Sequence, residues 1–204
     1  MELAGTIAFA CSGAILAIRK RMDLLGICIM GVVTAVGGGM LRDILLGVHP
    51  PMMFRHPGFT TVSAVTGILV FIVARWHRKR PDSHRYDLPG ERAMFAADTV
   101  GLAAFTVSGV AVAREAGYGS VFLLTFLGTL TGTGGGVIRD LLAQEPPYIF
   151  TKHVYACASI AGGLLCALLW DAAGELGASA AGAVTVILIR ALAAHYRWNL
   201  PRVA

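Results

Sequence analysis

Charged side chains are scarce in this sequence. They make up 14% of its 204 residues, whereas 56% of the residues are hydrophobic and the mean hydropathy is +0.69. A soluble domain carries roughly 25% charged residues, so this composition excludes an ordinary water-soluble protein. We therefore expect most of the chain to lie in lipid.

Signals of redox, metal or phosphate chemistry are also missing. None of the four cysteines belongs to a C-x-x-C pair, and each falls in an apolar stretch: Cys11, Cys28, Cys157 and Cys166. Packing is the simplest interpretation of such cysteines. The histidines show no helical metal spacing, and a repeated glycine triplet lacks the Lys-Ser/Thr of a phosphate loop. The sequence predicts no enzyme, no cofactor and no metal site.

Seven apolar stretches are long enough to cross a bilayer as helices, which takes about 17 to 25 residues. They lie at roughly 3–18, 24–46, 60–75, 95–113, 118–142, 153–170 and 176–194. In the first stretch, the basic cluster Arg19-Lys20-Arg21 follows the apolar run, opposite to the order in a cleavable signal peptide. The sequence therefore predicts an all-α membrane protein with seven transmembrane helices.

A duplication relates the two halves of the chain. Ser12-Gly13 recurs 96 residues later as Ser108-Gly109, and a glycine triplet followed by Arg-Asp occurs at 37–43 and again at 134–140. Each copy contains three predicted spans. Because three is odd, the second copy must enter the membrane from the opposite side. We predict two inverted three-helix repeats plus one accessory helix.

The repeats divide a single transmembrane domain into segments. Repeat one covers 1–75, a cytoplasmic linker 76–92, repeat two 93–171, and the seventh helix with its tail 172–204. The linker is polar, which is typical of a solvated loop. The alternative is that its basic residues bind anionic lipid headgroups, through Arg75, Arg78, Lys79 and Arg80.

Positive charge is unevenly distributed between the predicted loops. All but three of the 17 lysines and arginines fall on the side of the C-terminus, and the exceptions are Arg42, Arg55 and Arg114. Cytoplasmic loops accumulate Lys and Arg, so we predict a cytoplasmic C-terminus and an outside N-terminus. This topology explains the net charge of +5 without a nucleic-acid partner.

Two glycine triplets, Gly37-Gly38-Gly39 and Gly134-Gly135-Gly136, lie just past the middle of the second and fifth spans. Glycine costs roughly 1 kcal/mol relative to alanine in a helix interior, so something must compensate. One interpretation is a kink or an unwound turn whose backbone faces a cavity, since lipid cannot satisfy free carbonyl groups. The other is close helix packing. Equivalent positions in both repeats favour kinks that line a pore.

Hydroxyl side chains near the triplets are candidates for pore lining. Thr34, Thr131 and Thr133 can return hydrogen bonds to the backbone or offer oxygens to a cation. Ser12 and Ser108 occupy equivalent places in spans one and four. They either line the same cavity or belong to small-residue packing faces, and the sequence leaves both interpretations open.

Each triplet is followed by an ionisable pair, Arg42-Asp43 in the first repeat and Arg139-Asp140 in the second. Such residues cost at least ~2.5 kcal/mol at the centre of a membrane helix, so they generally face the protein interior and pair. Sequence neighbours point in different directions on a helix, and we therefore expect each arginine to find a partner on another span. The alternative is snorkelling at the helix ends.

A gate is predicted after the second motif. Tyr148 follows Asp140 by eight residues, past the Pro146-Pro147 break, and its hydroxyl can donate to the carboxylate. A hydrogen bond to a charged acceptor contributes roughly 1.5 to 3 kcal/mol. Met52 stands at the equivalent place after Asp43, so the gate is expected in the second repeat only. The alternative is that Tyr148 is an interfacial anchor.

Two copies of G-G-G-x-x-R-D in a chain with seven predicted spans resemble the prokaryotic members of the trimeric intracellular cation channel family, TRIC. The resemblance covers essentially the whole chain. It implies a homotrimer in which each protomer holds its own pore for monovalent cations, chiefly K⁺, bounded by spans one, two, four and five. It also implies that spans two and five are kinked at the glycine triplets.

Together these features predict a passive K⁺-permeable channel in a bacterial-type inner membrane. Its expected partners are K⁺ as the permeant ion, membrane lipid and further copies of the chain. The rival interpretation is a small-solute carrier, for example for glycine, because inverted repeats with broken helices are also typical of secondary transporters.

Overall fold

Helices form the fold of the residues that the structure describes. The computed structural model describes residues 1–78, 90–151 and 154–198, and these ranges contain no β-strand. Most of the predicted linker, including Lys79 and Arg80, lies outside them. The eight helices are α1 (Glu2–Arg19), α2 (Leu24–Leu45), α3 (Met52–Arg55), α4 (Pro57–Arg78), α5 (Glu91–Glu115), α6 (Val121–Leu142), α7 (Tyr148–Thr151) and α8 (Tyr155–His195).

The duplication is visible in the helix boundaries. α2 and α6 begin and end 97 residues apart, and the single-turn helices α3 and α7 begin and end 96 residues apart. α1, α2 and α4 pack against one another as one unit, and α5, α6 and α8 pack as a second unit. The two units meet through contacts of α1 with α5 and of α2 with α6.

The first long helices of the two units, α1 and α5, run in opposite directions. A Cβ added to Gly5 of α1 would lie 3.0 Å from Cβ of Ala104 in α5 and 3.2 Å from the ring of Phe105. Four residues further along α1, Phe9 packs on Gly101, which lies three to four residues earlier in α5. Rising numbers in α1 therefore meet falling numbers in α5, so the two helices are antiparallel.

The chain reverses direction in the same way at the C-terminal ends of α2 and α6. Gly47 and Gln144 take left-handed backbone angles, with φ of 69° and 55°. The next N–H in each chain segment then donates to the carbonyl of Asp43 or Asp140, at 2.9 Å in both places. This is a Schellman-type helix end, and it turns the chain back so that α3 and α7 return beneath their aspartates.

α8 consists of two helical halves. A straight helix of its 41 residues would be about 61 Å long, twice the ~30 Å hydrocarbon core of a bilayer. Gly174 breaks it with φ 70° and ψ 173°. The halves 155–173 and 175–195 then lie side by side, since a Cβ on Gly162 would contact Gly182 and Val186. These halves correspond to the stretches predicted at 153–170 and 176–194.

The apolar character of the helices suits a bilayer. Six helices within the described ranges are long and apolar enough to cross one, and α8 is counted once among them. α1 and α5 are buried along most of their length, while α4 leaves Leu69, Ile72 and Val73 exposed. The protein is therefore an all-α membrane protein in which α1, α2, α5 and α6 form the centre.

Candidate functional site

The glycine triplets form the crossing point of α2 and α6. A Cβ on the middle glycine of either triplet would overlap a carbonyl oxygen of the other helix: Gly38 faces Thr131, and Gly135 faces Thr34. Because the obstacle is backbone, no side-chain rotation can relieve it. Only glycine at these two positions permits the backbones to approach this closely.

The first glycine of each triplet receives an aliphatic side chain of the opposite helix. A Cβ on Gly37 would lie 2.8 Å from Cδ1 of Ile138, and one on Gly134 would lie 3.1 Å from Cδ1 of Leu41. The pairs are equivalent in the duplication, so the crossing is nearly symmetric. Each motif therefore supplies a glycine that leaves space for the other helix and an aliphatic side chain that fills the space beside the other motif's glycine.

The third glycine of each triplet lies beside the arginine of its own motif. A Cβ on Gly39 or Gly136 would lie 3.7 Å from Nη2 of Arg42 or Arg139, respectively. Helical structure continues through all six glycines, so neither triplet is an unwound turn, and the kinks expected there stay a prediction. Close packing explains the first and second glycines of each triplet, and also Gly136, whose added Cβ would lie 2.8 Å from the Tyr155 hydroxyl, whereas Gly39 makes only an ordinary van der Waals contact.

The threonines beside the triplets bond to their own helices. Thr34 and Thr131 donate to the carbonyl four residues earlier at 2.6 Å, and Thr133 does so at 2.7 Å. Gly13 packs on the Thr34 hydroxyl and Gly109 on that of Thr131, with Cβ positions 2.5 and 2.6 Å from the oxygens. The three hydroxyls therefore donate to backbone carbonyls of their own helices, which is the first of the two roles predicted for them.

A buried ionic network, called the second cluster here, consists of Asp98, Arg139, Asp140 and Arg190. Arg139 donates through Nη1 to Oδ1 of Asp98 and through Nε to Oδ1 of Asp140, both at 2.8 Å. Arg190 donates through Nη2 to Oδ2 of Asp98 at 3.0 Å. All four residues are at most 1% exposed. Burial at this depth is tolerated because every charge has an opposite partner.

Aromatic rings and hydroxyl groups surround the second cluster. The Tyr155 hydroxyl lies 3.5 Å from Oδ1 of Asp98, and Cζ of Arg139 lies 5.2 Å from the ring centroid of Tyr148. Ser12 of α1 accepts a hydrogen bond from Nη1 of Arg139. Nη2 of Arg139 has no acceptor among the described residues, which costs about 1 to 3 kcal/mol.

The corresponding group at the other end of the crossing, called the first cluster here, consists of Glu2, Arg42 and Asp43. Arg42 donates through Nε and Nη2 to Oδ1 of Asp43, at 2.9 and 2.8 Å. Ser108 of α5 donates to Oε1 of Glu2 at 2.7 Å. The predicted serines therefore each reach an ionic cluster, Ser12 the second and Ser108 the first.

The first cluster lines an open space. A partly open cavity is bounded by α1, α2, α3, α4 and Phe105 of α5. Its lining residues are Glu2, Thr6, Ala35, Val36, Gly39, Met40, Arg42, Asp43, Met52, Met53, Phe59 and Phe105. Of the predicted site residues, Gly39, Arg42 and Asp43 belong to this lining.

The arginine partners agree with the sequence prediction for Arg139 but not for Arg42. The sequence predicts a partner on another span for each arginine, but Arg42 pairs with the adjacent Asp43. Arg139 pairs with its neighbour Asp140 as well as with Asp98 of α5. The prediction for Arg42 is wrong because a long arginine side chain can fold back over Gly39 and reach the next residue.

The predicted gate has a different form in the structure. The backbone N–H of Tyr148, not its hydroxyl, donates to Oδ2 of Asp140 at 2.8 Å. The hydroxyl donates to Sδ of Met94 at 3.7 Å. The first repeat contains the same contact, since the Met52 N–H donates to Oδ2 of Asp43 at 2.8 Å. The hydroxyl bond predicted for the second repeat is therefore not made, and a backbone bond that does not depend on residue type is present in both repeats.

Sequence reasoning missed several residues that build the clusters. Glu2 and Asp98 are 96 residues apart and therefore equivalent, and this offset is available in the sequence. Tyr155 is likewise the equivalent of Phe59. Arg190 counts among the loop charges in the topology prediction, whereas it lies 1% exposed inside the bundle. A charged residue within a predicted span is the signal that could have revealed Asp98 and Arg190.

The described residues offer little to a metal or a cofactor. Within 1–78, 90–151 and 154–198, no three His, Cys, Asp or Glu side chains are grouped as a metal site requires. The cysteines are unpaired by disulfides, and Sγ of Cys28 lies 4.0 Å from the carbonyl oxygen of Ala64. The chemistry available at the two clusters is therefore electrostatic: carboxylates, guanidinium groups and hydroxyls.

Known proteins resemble this chain along its whole length. A family model described as glycine transporter matches residues 1–75 and 95–171. The UPF0126 inner membrane protein YadS of Escherichia coli K12 is 38% identical over 206 residues, covering 100% of this chain and 95% of that protein.

Solved structures share the fold. A TRIC cation channel structure has a TM-score of 0.84 and 32% identity, and the match covers 100% of this chain and 95% of that one. The TRIC trimeric intracellular cation channel orthologue from Rhodobacter sphaeroides has a TM-score of 0.84 and 30% identity, with 97% and 96% coverage.

Proposed function

Because this chain belongs to the UPF0126 membrane protein family, whose model is described as glycine transporter and whose fold is that of the TRIC channels, we propose that it is a passive K⁺-permeable channel. Its relatives are membrane proteins and channels rather than enzymes. The proposed assembly is a homotrimer in an inner membrane, with one path through each protomer. The names of the similar structures support the cation and the trimer.

The proposed path runs between α1, α2, α5 and α6. The observation that carries the proposal is the pair of ionic clusters at opposite sides of the α2–α6 crossing. α1 contributes Glu2 to the first cluster and Ser12 to the contacts of the second. α5 contributes Asp98 to the second cluster and Ser108 to the contacts of the first. All four central helices therefore reach polar groups, and carboxylates favour cations over anions.

The structure corresponds to a closed path in this proposal. The first cluster opens into the cavity, but the crossing at Gly38 and Gly135 brings backbone against backbone, and the second cluster is sealed. Conduction requires the two helices to separate at the crossing and water to enter the second cluster. The unsatisfied Nη2 of Arg139 would gain a hydrogen bond from such water, which favours opening.

We further propose seven membrane spans, arranged as two inverted three-helix repeats plus the second half of α8. The antiparallel contacts of α1 with α5 support inversion, and the break at Gly174 supports two spans within α8. The distribution of basic residues supports an outside N-terminus and a cytoplasmic C-terminus. Labelling of single cysteines at Pro50 and Ala204 from each side of the membrane tests this: the position of Pro50 should react from outside and that of Ala204 from the cytoplasm.

Purified protein in a planar bilayer tests the function. We expect discrete unitary currents carried by K⁺, because a continuous path conducts many ions for each opening. Saturable uptake of glycine into liposomes without unitary currents would instead establish a carrier. Chemical crosslinking in membranes should give a ladder that ends at three chains, and a ladder that ends at two would contradict the trimer.

A further inference from the structure

Arg190 lies outside the duplicated segments but reaches into the second repeat. It belongs to the second half of α8, beyond residues 1–75 and 95–171 that the family model matches. Its Nη2 is 3.0 Å from Oδ2 of Asp98, and its Nε donates to Oγ1 of Thr99 at 3.1 Å. Its Cζ lies 4.6 Å from the ring centroids of both Phe95 and Tyr155. The guanidinium is thus clamped against α5.

Arg190 changes the formal charge at one end of the proposed path. The first cluster has two carboxylates and one guanidinium, so its formal charge is −1. The second cluster has two carboxylates and two guanidinium groups, and is neutral. Without Arg190, the second cluster would carry the same charge as the first, since Asp98 is the equivalent of Glu2.

We propose that Arg190 is a tethered cation that occupies Asp98 in place of a permeant ion and thereby closes the second half of the path. A cation pathway requires unneutralised carboxylates or other oxygen ligands along it. A guanidinium held by Thr99 and two rings competes with dissolved ions at high effective concentration. This inference rests on the proposed function, and it predicts that α8 must move away from α5 before Asp98 can meet a permeant cation.

The central variant is Arg190→Gln, which retains hydrogen-bonding groups and removes the charge. We expect K⁺ flux into liposomes to rise on the order of tenfold, the usual size of a coupling between two states. Arg190→Lys keeps the charge and should raise flux less. Adding Asp98→Asn to Arg190→Gln should bring flux back to the original level or below it, because the exposed carboxylate is then lost.

Arg114→Gln is the matched control. Arg114 also links α5 to α8, through Asp171, but Asp171 has a side chain that is 83% exposed, so this pair lies at the surface. If loosening the contact between α5 and α8 were sufficient, both arginine variants would raise flux. The proposal requires that only Arg190→Gln does so.

Cysteine accessibility gives a second measurement that does not depend on conduction. Met53 lines the first cavity and is partly exposed, whereas Leu102, one turn after Asp98 in α5, is 0% exposed. In a chain whose native cysteines are replaced by alanine, a cationic methanethiosulfonate should label Met53→Cys readily. We expect it to label Leu102→Cys only when Arg190→Gln is also present.

The outcomes separate this inference from the proposed function. Labelling of Leu102→Cys that increases while no variant passes K⁺ would reject the channel but support the displacement of Arg190. Flux in the unmodified protein, with neither flux nor labelling changed by Arg190→Gln, would overturn the inference. If Arg190→Gln does not fold, Thr99→Val, which removes one acceptor and no charge, must raise both readouts; unchanged readouts would overturn the inference.

Discussion

The first and second clusters stand at equivalent positions in the two repeats and differ in what surrounds them. Both contain an arginine and an aspartate from a G-G-G-x-x-R-D motif and a carboxylate from the first turn or first part of a central helix. The motif residues of both clusters are buried, since Arg42 and Asp43 are 4% and 1% exposed, but Glu2 is partly exposed beside a cavity whereas Asp98 is 0% exposed. The two ends therefore differ in the surroundings of the carboxylate that joins each motif, not in the burial of the motif itself.

The difference comes from residues outside the motifs. Arg190 brings a second positive charge to Asp98, and nothing equivalent is found in the cavity lining around Glu2. Tyr155 adds a hydroxyl near Asp98, where Phe59 has only a ring. The duplication sets the crossing of the helices, whereas the second half of α8, which has no counterpart in repeat one, makes the two ends unequal.

The largest expected effect comes from disrupting the glycine crossing of α2 and α6, to which both repeats contribute. Gly38→Ala combined with Gly135→Ala places two methyl groups against backbone carbonyls, and overpacking costs about 1 to 3 kcal/mol at each site, or more. We expect a large fall in the thermal unfolding temperature in detergent and loss of K⁺ flux. Gly58→Ala is the control, because no atom lies within 4 Å of its added Cβ. Equal unfolding temperatures for the two variants would contradict the packing role of the triplets.

A smaller effect, a difference in the free energy of unfolding, should distinguish variants of the equivalent carboxylates Asp98 and Glu2. Asp98→Asn leaves Arg139 and Arg190 buried with fewer negative partners, and breaking a buried ion pair costs about 3 to 5 kcal/mol. Glu2→Gln removes a carboxylate beside an open cavity and should cost about 1 kcal/mol or less. Chemical denaturation of both variants measures the difference. Similar losses would mean that the two ends are not as unequal as their burial indicates.

The smallest effect is expected at Tyr148, the tyrosine of the predicted gate. Tyr148→Phe leaves the backbone N–H that Asp140 binds, so single-channel open probability should change little. Asp140→Asn weakens this bond and also breaks the buried ion pair with Arg139, so it should change the open probability more. Asp43→Asn tests the equivalent bond to Met52 in the first repeat. A larger response to Tyr148→Phe than to Asp140→Asn would restore the hydroxyl gate.

Much of the fold could be predicted from residue pattern. Apolar length places the helices, since a span needs a fixed number of residues, and the stretch predicted at 24–46 is α2 at Leu24–Leu45. At the positions of α3 and α7 the sequence predicts only a proline break in each copy, because a four-residue helix is too short to show a periodic pattern. The positions of the triplets are also evident, but their helical continuity is not.

By itself, the sequence determined that this is an α-helical membrane protein, that it is duplicated, and that its glycines and ionic pairs occur at matching places. Those properties depend on composition, length and spacing, which are local. The tertiary structure decided that Gly38 packs on Thr131, that Arg42 folds back on Asp43 and that Arg190 reaches Asp98. Such contacts depend on how each helix is rotated and where it crosses its neighbours, and no single segment contains that information.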